Sequence, residues 1–156
     1  MALAGTLRQY LADHAIEYSV MAHRPTLSSA QTVAASRIPA DCVAKAIVLK
    51  GEHGYLLVVL PASRLVDLGE IRRQLDRRVG LATEVEVAKL FADCALGAVP
   101  PVGQAYGIDV VLDDDIASQS DIFFEGGDHA SLVHVKRQQF EAIMAGARHG
   151  RFARPN

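Results

Sequence analysis

The sequence predicts an α+β domain with a mixed sheet, and three observations predict it. Helix-like and strand-like segments alternate with short connections. The most regular stretch, CVAKAIVLKGEHGYLLVVLP (residues 42–61), reads as two strands around a tight turn. No internal repeat or shift of composition divides the 156 residues, a length that suits one domain with a real core.

The elements follow in order. TLRQYLADH, with Leu3 just ahead of it, sets Leu3, Leu7, Tyr10 and Leu11 at helical spacing. IEYSVMAH alternates Ile16, Tyr18 and Val20 toward one side, as a half-buried strand does. SSAQTVAASRI opens with Ser28 and Gln31 in capping-box spacing for a short helix. The two strands of residues 42–61 turn at GEHG (51–54). DLGEIRRQLD pairs Asp67 with Glu70 as a second capping box and sets Leu68, Ile71 and Leu75 on one helix face; TEVEVAKLF repeats the device with Thr83 and Glu86. DCALGAVPPVGQAYG (93–107), with Gly97, Pro100, Pro101, Gly103 and Gly107, reads as an ordered loop. IDVVLD, DIFFE and SLVHV supply further strands and KRQQFEAIM a closing helix. GARHGRFARPN has no apolar periodicity and is expected to fray.

Composition narrows the functional classes. Half of the residues are hydrophobic and 22% are charged, a globular balance. The longest apolar runs are strand-sized, and the N-terminus lacks the basic start and apolar stretch of a signal peptide. Cys42 and Cys94 make no disulfide framework and no CxxC, so a reduced, cytoplasmic setting is expected. A formal charge of -2 excludes a protein that grips nucleic acid through its global charge.

Lys45 is the residue out of place. In a strand it shares a face with Val43, Ile47 and Leu49. Two readings stand: a stem lying on apolar surface with its ammonium in water, or a lysine lining a cleft. GAVPP (97–101) is either a rigid connection or a loop whose backbone N–H groups suit an oxyanion or phosphate. EGGDH (125–129) is either a turn or a loop bordering a ligand. His14, His23, His53, His134 and His149 form no HxxxH, HExxH or Cys/His cluster, so no metal is expected. Cys94 has no sequence-local base and reads more readily as a buried filler than as a nucleophile. GxSxG, Walker and Rossmann signatures are all missing, so no cofactor is expected. RRQLDRR (72–78) is a solvated helix face or a contact for a polyanion.

The order of AHRPTLSSAQTVA (22–34), VAKAIVLKGEHGYLLVVLP (43–61), DCALGAVPPVG (93–103) and FFEGGDHASLVHV (123–135) resembles the YbaK/EbsC-type aminoacyl-tRNA deacylases, related to the editing domain inserted in bacterial prolyl-tRNA synthetase. The resemblance implies an α+β fold with a mixed, mostly antiparallel sheet of about six to seven strands flanked by helices. It implies an editing domain over residues 1–147 with a flexible tail at 148–156. The implied activity is trans-editing: hydrolysis of the ester joining a small mischarged residue such as alanine, serine or cysteine to a tRNA, with tRNA(Pro) a candidate. The implied partner is the 3′ acceptor end of aminoacyl-tRNA, with a synthetase or elongation factor as further candidates and no membrane or DNA. A non-catalytic module that binds a tRNA end or a regulatory partner on the same fold is the alternative.

Residue by residue, Lys45 matches the family's functional lysine, Gly97 to Pro101 its GxxxP loop, and Gly126 and Gly127 its paired glycines. His23 matches a histidine after the first strand, and His129 follows the glycines toward the substrate side. The resemblance implies that Lys45 holds the tRNA end, that amides near Gly97 and Ala98 hold the carbonyl oxygen, and that Ala98, Val99 and Pro100 narrow the pocket, with Pro101 also lining it. The cysteine-removing branch has tyrosine at Met21 and aspartate at Leu132, so its substrate preference does not transfer.

Overall fold

The hairpin read from residues 42–61 forms the spine of the molecule. The computed structural model describes residues 3–23 and 29–155. Strand β2 (Ala44–Gly51) pairs antiparallel with β3 (Gly54–Pro61), from Ala44 opposite Pro61 to Gly51 opposite Gly54. Glu52 and His53 make the turn, and Gly54 follows at φ +123°, a conformation side chains disfavour.

Around this hairpin the elements run α1 (Gly5–Asp13), β1 (Ser19–Ala22), α2 (Ser29–Ser36), β2, β3, β4 (Arg64–Val66), α3 (Leu68–Leu75), β5 (Val79–Leu81) and α4 (Glu84–Leu90). They continue as β6 (Asp109–Asp113), α5 (Asp114–Ala117), β7 (Asp121–Glu125), β8 (Ser131–Lys136), α6 (Arg137–Ile143), β9 (Arg148–Gly150) and β10 (Ala153–Pro155). One sheet has the order β5-β2-β3-β6-β9, a second β1-β8-β7, and β10 pairs with β4. The β3–β6 and β6–β9 ladders are parallel and the other ladders antiparallel.

The α+β class and the mixed, mostly antiparallel pairing thus match the sequence reading. The strands are more numerous and lie in three sheets. Strands β4, β5, β9 and β10 have three residues each, too few to show an alternating pattern.

Strand β3 is apolar on both faces because both are covered. Leu57 and Val59 join the main core with Leu7 and Leu11 of α1, Phe91, Phe124 and Phe140. Leu56, Val58 and Leu60 face Ile71 and Leu75 of α3, and Phe152.

Three local expectations change, and a fourth is not tested. Ile16 is buried, but Val20 is 48% exposed, because β1 is an edge strand whose residues are all open to solvent. The Ser28 cap lies outside the described residues. Asp67 caps α3 by accepting from the Glu70 N–H at 3.1 Å, yet the Glu70 carboxylate turns to Arg73 and Gln74 instead of closing the box. Thr83 and Glu86 form the complete box.

The third correction concerns the segment expected to fray. Residues 148–150 extend the main sheet as β9, and 153–155 pair with β4. Phe152 between them is fully buried, its N–H donating to Asp113 Oδ2 at 2.8 Å. One anchored aromatic, invisible to a periodicity search, holds the segment down. Phe152→Ala is therefore expected to destabilise the fold by about 3 kcal/mol. The check is a urea titration in which the midpoint falls while the slope stays constant.

A candidate active site along the open edge of β2

One edge of β2 is occupied throughout by β3. Along the other, β5 pairs only with Leu49, Lys50 and Gly51, and β7 touches only at a single parallel bridge between Val43 and Phe123. Between those points the edge is bare. The Ala82 N–H donates to Val48 O at 3.0 Å and the Ala62 N–H to Val43 O at 2.8 Å. Since strand residues alternate direction, even-numbered positions address the β5 side, and the Ala46 peptide groups face the gap.

A cavity of about 360 Å³ fills that gap. Its walls are Val43 and β2 as far as Val48, Leu81 at the end of β5, Ala82 just beyond it, Glu84 and Val87 of α4, and Leu96, Gly97 and Val99 of the following loop, with Thr32 and Glu125. The shortness of β5 is what opens it: the chain leaves the sheet at Ala82 and enters α4 through the Thr83 capping box.

Lys45 lines this cavity, and burial lowers the pKa of its ammonium below the usual lysine value. Among the described residues no carboxylate lies within ion-pairing distance of it. The second reading of Lys45, a lysine at a cleft, is the one that fits.

The GAVPP loop divides in two. Gly97, at φ +81°, and Val99 line the cavity, whereas Ala98, Pro100 and Pro101 are buried behind it. The Ala98 N–H donates to Ala95 O at 3.1 Å, which removes it from the set of oxyanion donors expected from sequence. Among the described residues the amides of Gly97 and Val99 have no acceptor.

Gly126 and Gly127 do not line the cavity either. A Cβ at Gly126 would meet Leu3 Cδ2 at 2.5 Å, and one at Gly127, already at φ +108°, would meet Ala4 Cβ at 2.8 Å. Their carbonyls accept from the Ala4 and Ala95 amides, at 2.8 Å each. The pair thus packs the strand end against α1 and ties it to the 95–99 loop, a positioning part behind the cavity wall. His129 sits beside them at φ +62° and likewise is not part of the wall.

His23 reaches the site through Glu125, with Nε2 at 3.7 Å from Oε1. Glu125 itself is the residue that sequence reasoning passed over. It is 5% exposed, it lines the cavity, and burial raises its carboxyl pKa. The signal was a carboxylate set directly against paired glycines at the end of an apolar strand.

The remaining candidates lie elsewhere. Cys94 Sγ contacts Tyr106 Oη at 3.3 Å, and burial pushes its thiol up to about 11. His134 stacks on Phe123 and bonds Asp121 at 2.8 Å. In the basic cluster, Arg72 donates to Val79 O and Arg73 pairs with Glu70. Arg77 and Arg78 border a hollow shared with Glu52, Asp76 and Asp109, at the far end of β2. Six strand residues from Lys45 to Gly51 put that hollow roughly 20 Å away. Among the described residues no group of three His, Cys, Asp or Glu is arranged to hold a metal ion, and no helix is long and apolar enough to cross a membrane.

Comparison with known proteins bears on this cavity. No curated protein matches the chain. Solved structures share the fold, three of them as follows. One, described as a candidate trans-editing enzyme for prolyl tRNA synthetase, has a TM-score of 0.83 at 23% identity, with 98% of this chain and 99% of that one covered. The hypothetical protein APE2540 has a TM-score of 0.84 at 19% identity, covering 96% and 99%. A scaffold protein from computational epitope backbone grafting has a TM-score of 0.81 at 22% identity, covering 97% of each. The aminoacyl-tRNA editing domain family matches residues 23–143, a span that runs from His23 through Lys45, the Gly97 loop and Glu125, and the chain belongs to that family.

Proposed function

We propose that this protein is a trans-editing deacylase that hydrolyses the ester between a small mischarged amino acid and the 3′ end of a tRNA. The observation that carries the reading is Lys45: a half-buried ammonium with no carboxylate at ion-pairing distance among the described residues, set in the wall of a cavity it shares with Gly97. An uncompensated buried cation invites an anionic ligand, and the terminal phosphate of a tRNA supplies one.

The chemistry asks little more of the protein. An aminoacyl ester is already activated, so positioning and oxyanion stabilisation supply most of what hydrolysis needs. Lys45 fixes the terminal phosphate and ribose. The amides of Gly97 and Val99, without an acceptor among the described residues, are available to an ester oxygen as it gains charge. Water attacks, with the vicinal ribose hydroxyl of the substrate as proton relay. Cys94 has no part in this, since it is outside the cavity wall and its thiol is held protonated.

Specificity comes from size. Val43, Ala44, Ala46, Val48, Val87 and Val99 make an apolar pocket at the small end of ligand sites, which run from roughly 300 Å³ upward. Such a wall rejects bulk well and separates isosteres poorly, which suits a second sieve behind a synthetase. In the cysteine-removing branch the two positions that differ are polar. Here Met21 and Leu132 stand opposite each other across β1 and β8, an apolar pair away from the cavity wall. Alanine and serine are accordingly the favoured candidates.

The direct test is hydrolysis of Ala-, Ser-, Cys- and Pro-tRNA(Pro). Release of a small residue, survival of Pro-tRNA(Pro), and a loss of about 100-fold or more in Lys45→Ala are expected. Binding of tRNA without cleavage of any ester would instead favour the non-catalytic module.

Lys45 also generates a stability prediction. Its proton leaves the folded chain below the ordinary lysine value of 10.5, so stability rises with pH between the folded and unfolded pKa values. Lys45→Met should flatten that slope and raise stability at pH 7 by about 1 kcal/mol, read by thermal melts, while abolishing deacylation.

Cys94 supplies a negative control. With a thiol near 11, roughly 0.1% is thiolate at pH 8, so alkylation by iodoacetamide in a Cys42→Ser background should run at least about 100-fold slower than for a free thiol. Cys94→Ser should keep its deacylase activity, and loss of turnover in that variant would return the cysteine to the mechanism.

A further inference from the structure

Glu125 is a carboxylate with one oxygen spoken for and one not. It ends β7, is 95% buried, and lines the same cavity as Lys45. Oε1 accepts from Thr32 Oγ1 at 2.5 Å and lies 3.7 Å from His23 Nε2. Oε2 is buried and, among the described residues, has no hydrogen-bond partner. A buried carboxylate oxygen left without a donor is costly, and it marks a place where a ligand's donor completes the site.

The topology says where that donor must come from. After the single Val43–Phe123 bridge, two residues along each strand bring the chain to Lys45 and to Glu125. The two charges border one cavity, yet no Lys45–Glu125 ion pair forms. Each is left for a ligand group of opposite sign, and the aminoacylated end of a tRNA carries both. Its phosphate is anionic, and the carbon next to the ester carbonyl bears an ammonium. Most of the rest of the wall is apolar and suits the amino-acid side chain. Glu84, the other carboxylate of the wall, is exposed and needs no partner.

We infer that Glu125 binds the α-ammonium group of the aminoacyl ester and so orients the carbonyl toward the Gly97 loop. The inference rests on the deacylase reading above. Thr32 holds Oε1 and thereby aims Oε2. His23, His129 and Asp128 are the other titratable groups that face the carboxyl. Burial first, and then the Asp128 charge, raise its pKa, and a bound ammonium is the countercharge that keeps it ionised. Because every aminoacyl ester carries this ammonium, Glu125 distinguishes charged tRNA from uncharged tRNA and from esters lacking the amine, while the apolar wall sorts the side chains.

The experiment compares the best-cleaved aminoacyl-tRNA of the panel with its α-hydroxy analogue, made by deamination with nitrous acid. Each rate is divided by the spontaneous rate of that ester. Wild type should favour the amine by about 100-fold. Glu125→Gln should reduce the preference to less than about threefold by losing rate on the amine alone, and Glu125→Asp should keep at least about tenfold. A wild-type ratio near one, or equal slowing of both esters by Glu125→Gln in folded protein, overturns the inference. The second result would assign Glu125 to water activation. If Glu125→Gln does not fold, the wild-type ratio and Glu125→Asp decide. If wild type cleaves no ester, the deacylase reading fails separately, and the Glu125 carboxyl carbon is followed by NMR during titration with alaninamide and N-acetylalaninamide. A shift with the amine only sustains ammonium recognition; no shift with either, or an equal shift with both, overturns it.

Discussion

The unpaired stretch of the β2 edge, between the Val43–Phe123 bridge and the Leu49–Leu81 pair, is the constraint on which the site depends. A strand with one bare edge exposes peptide groups that must find partners elsewhere, and proteins generally cover such an edge or charge it. Here the edge is kept bare by two adjacent devices. Strand β5 stops after three residues because Ala82 bonds back to Val48 and Thr83 starts a helix. Strand β7 parts from β2 after one bridge. Apart from β2 itself and Thr32 of α2, what lines the cavity is brought there by one of these two departures.

The same geometry accounts for the charges. Lys45 and Glu125 stand on strands that have just separated, close enough to share a cavity and not paired with each other. Both are partly stripped of water, and burial shifts each toward its neutral form: the ammonium pKa down, the carboxyl pKa up. A direct ion pair would relieve both and close the site. Keeping them apart costs stability, which the hairpin and the two cores flanking β3 offset. An ammonium with no carboxylate at ion-pairing distance among the described residues is not what stability alone would place here; a stability optimum would replace Lys45 with an aliphatic residue.

Much of this was legible beforehand, and the parts that were not share a cause. The hairpin, the Thr83 capping box and the α3 stripe follow from local patterns, and Lys45 was conspicuous because a charge broke an apolar alternation. The order of motifs then identified the family. Glu125 was missed because its meaning is non-local: only the Val43–Phe123 bridge brings it beside Lys45. Ala98 was assigned a donor's role that its turn to Ala95 had already taken, a hydrogen bond no spacing rule displays. Gly126 and Gly127 were placed in contact with substrate, when the shape that demands glycine there is the close approach of Leu3 and Ala4. Phe152 escaped notice because a lone aromatic between polar residues has no period.

Those same corrections explain how the loop opposite Lys45 is held. Ala95 is tied by its amide to Gly127, Ala98 turns back on Ala95, and Pro100 and Pro101 are sunk in the core behind. Asp93, at the root of the loop, accepts from the Thr6 amide at 2.8 Å and from Tyr106 Oη at 2.8 Å, with Cys94 packed into the same cluster. The sequence feature that most resembled a nucleophile is thus a strut. Its rigidity has a chemical use in the deacylase reading. When the protein contributes no covalent intermediate, the rate depends on donors that are already in place when charge appears on the ester oxygen, because reorganising a loose loop at that moment would consume the stabilisation it gives. Fixing residues 95–101 from behind, through the glycines, the prolines and Asp93, leaves the amides of Gly97 and Val99 without an acceptor among the described residues, on the cavity side. A fold that needs no nucleophile must hold its backbone still, and the residues that do not touch the substrate are the ones that do so.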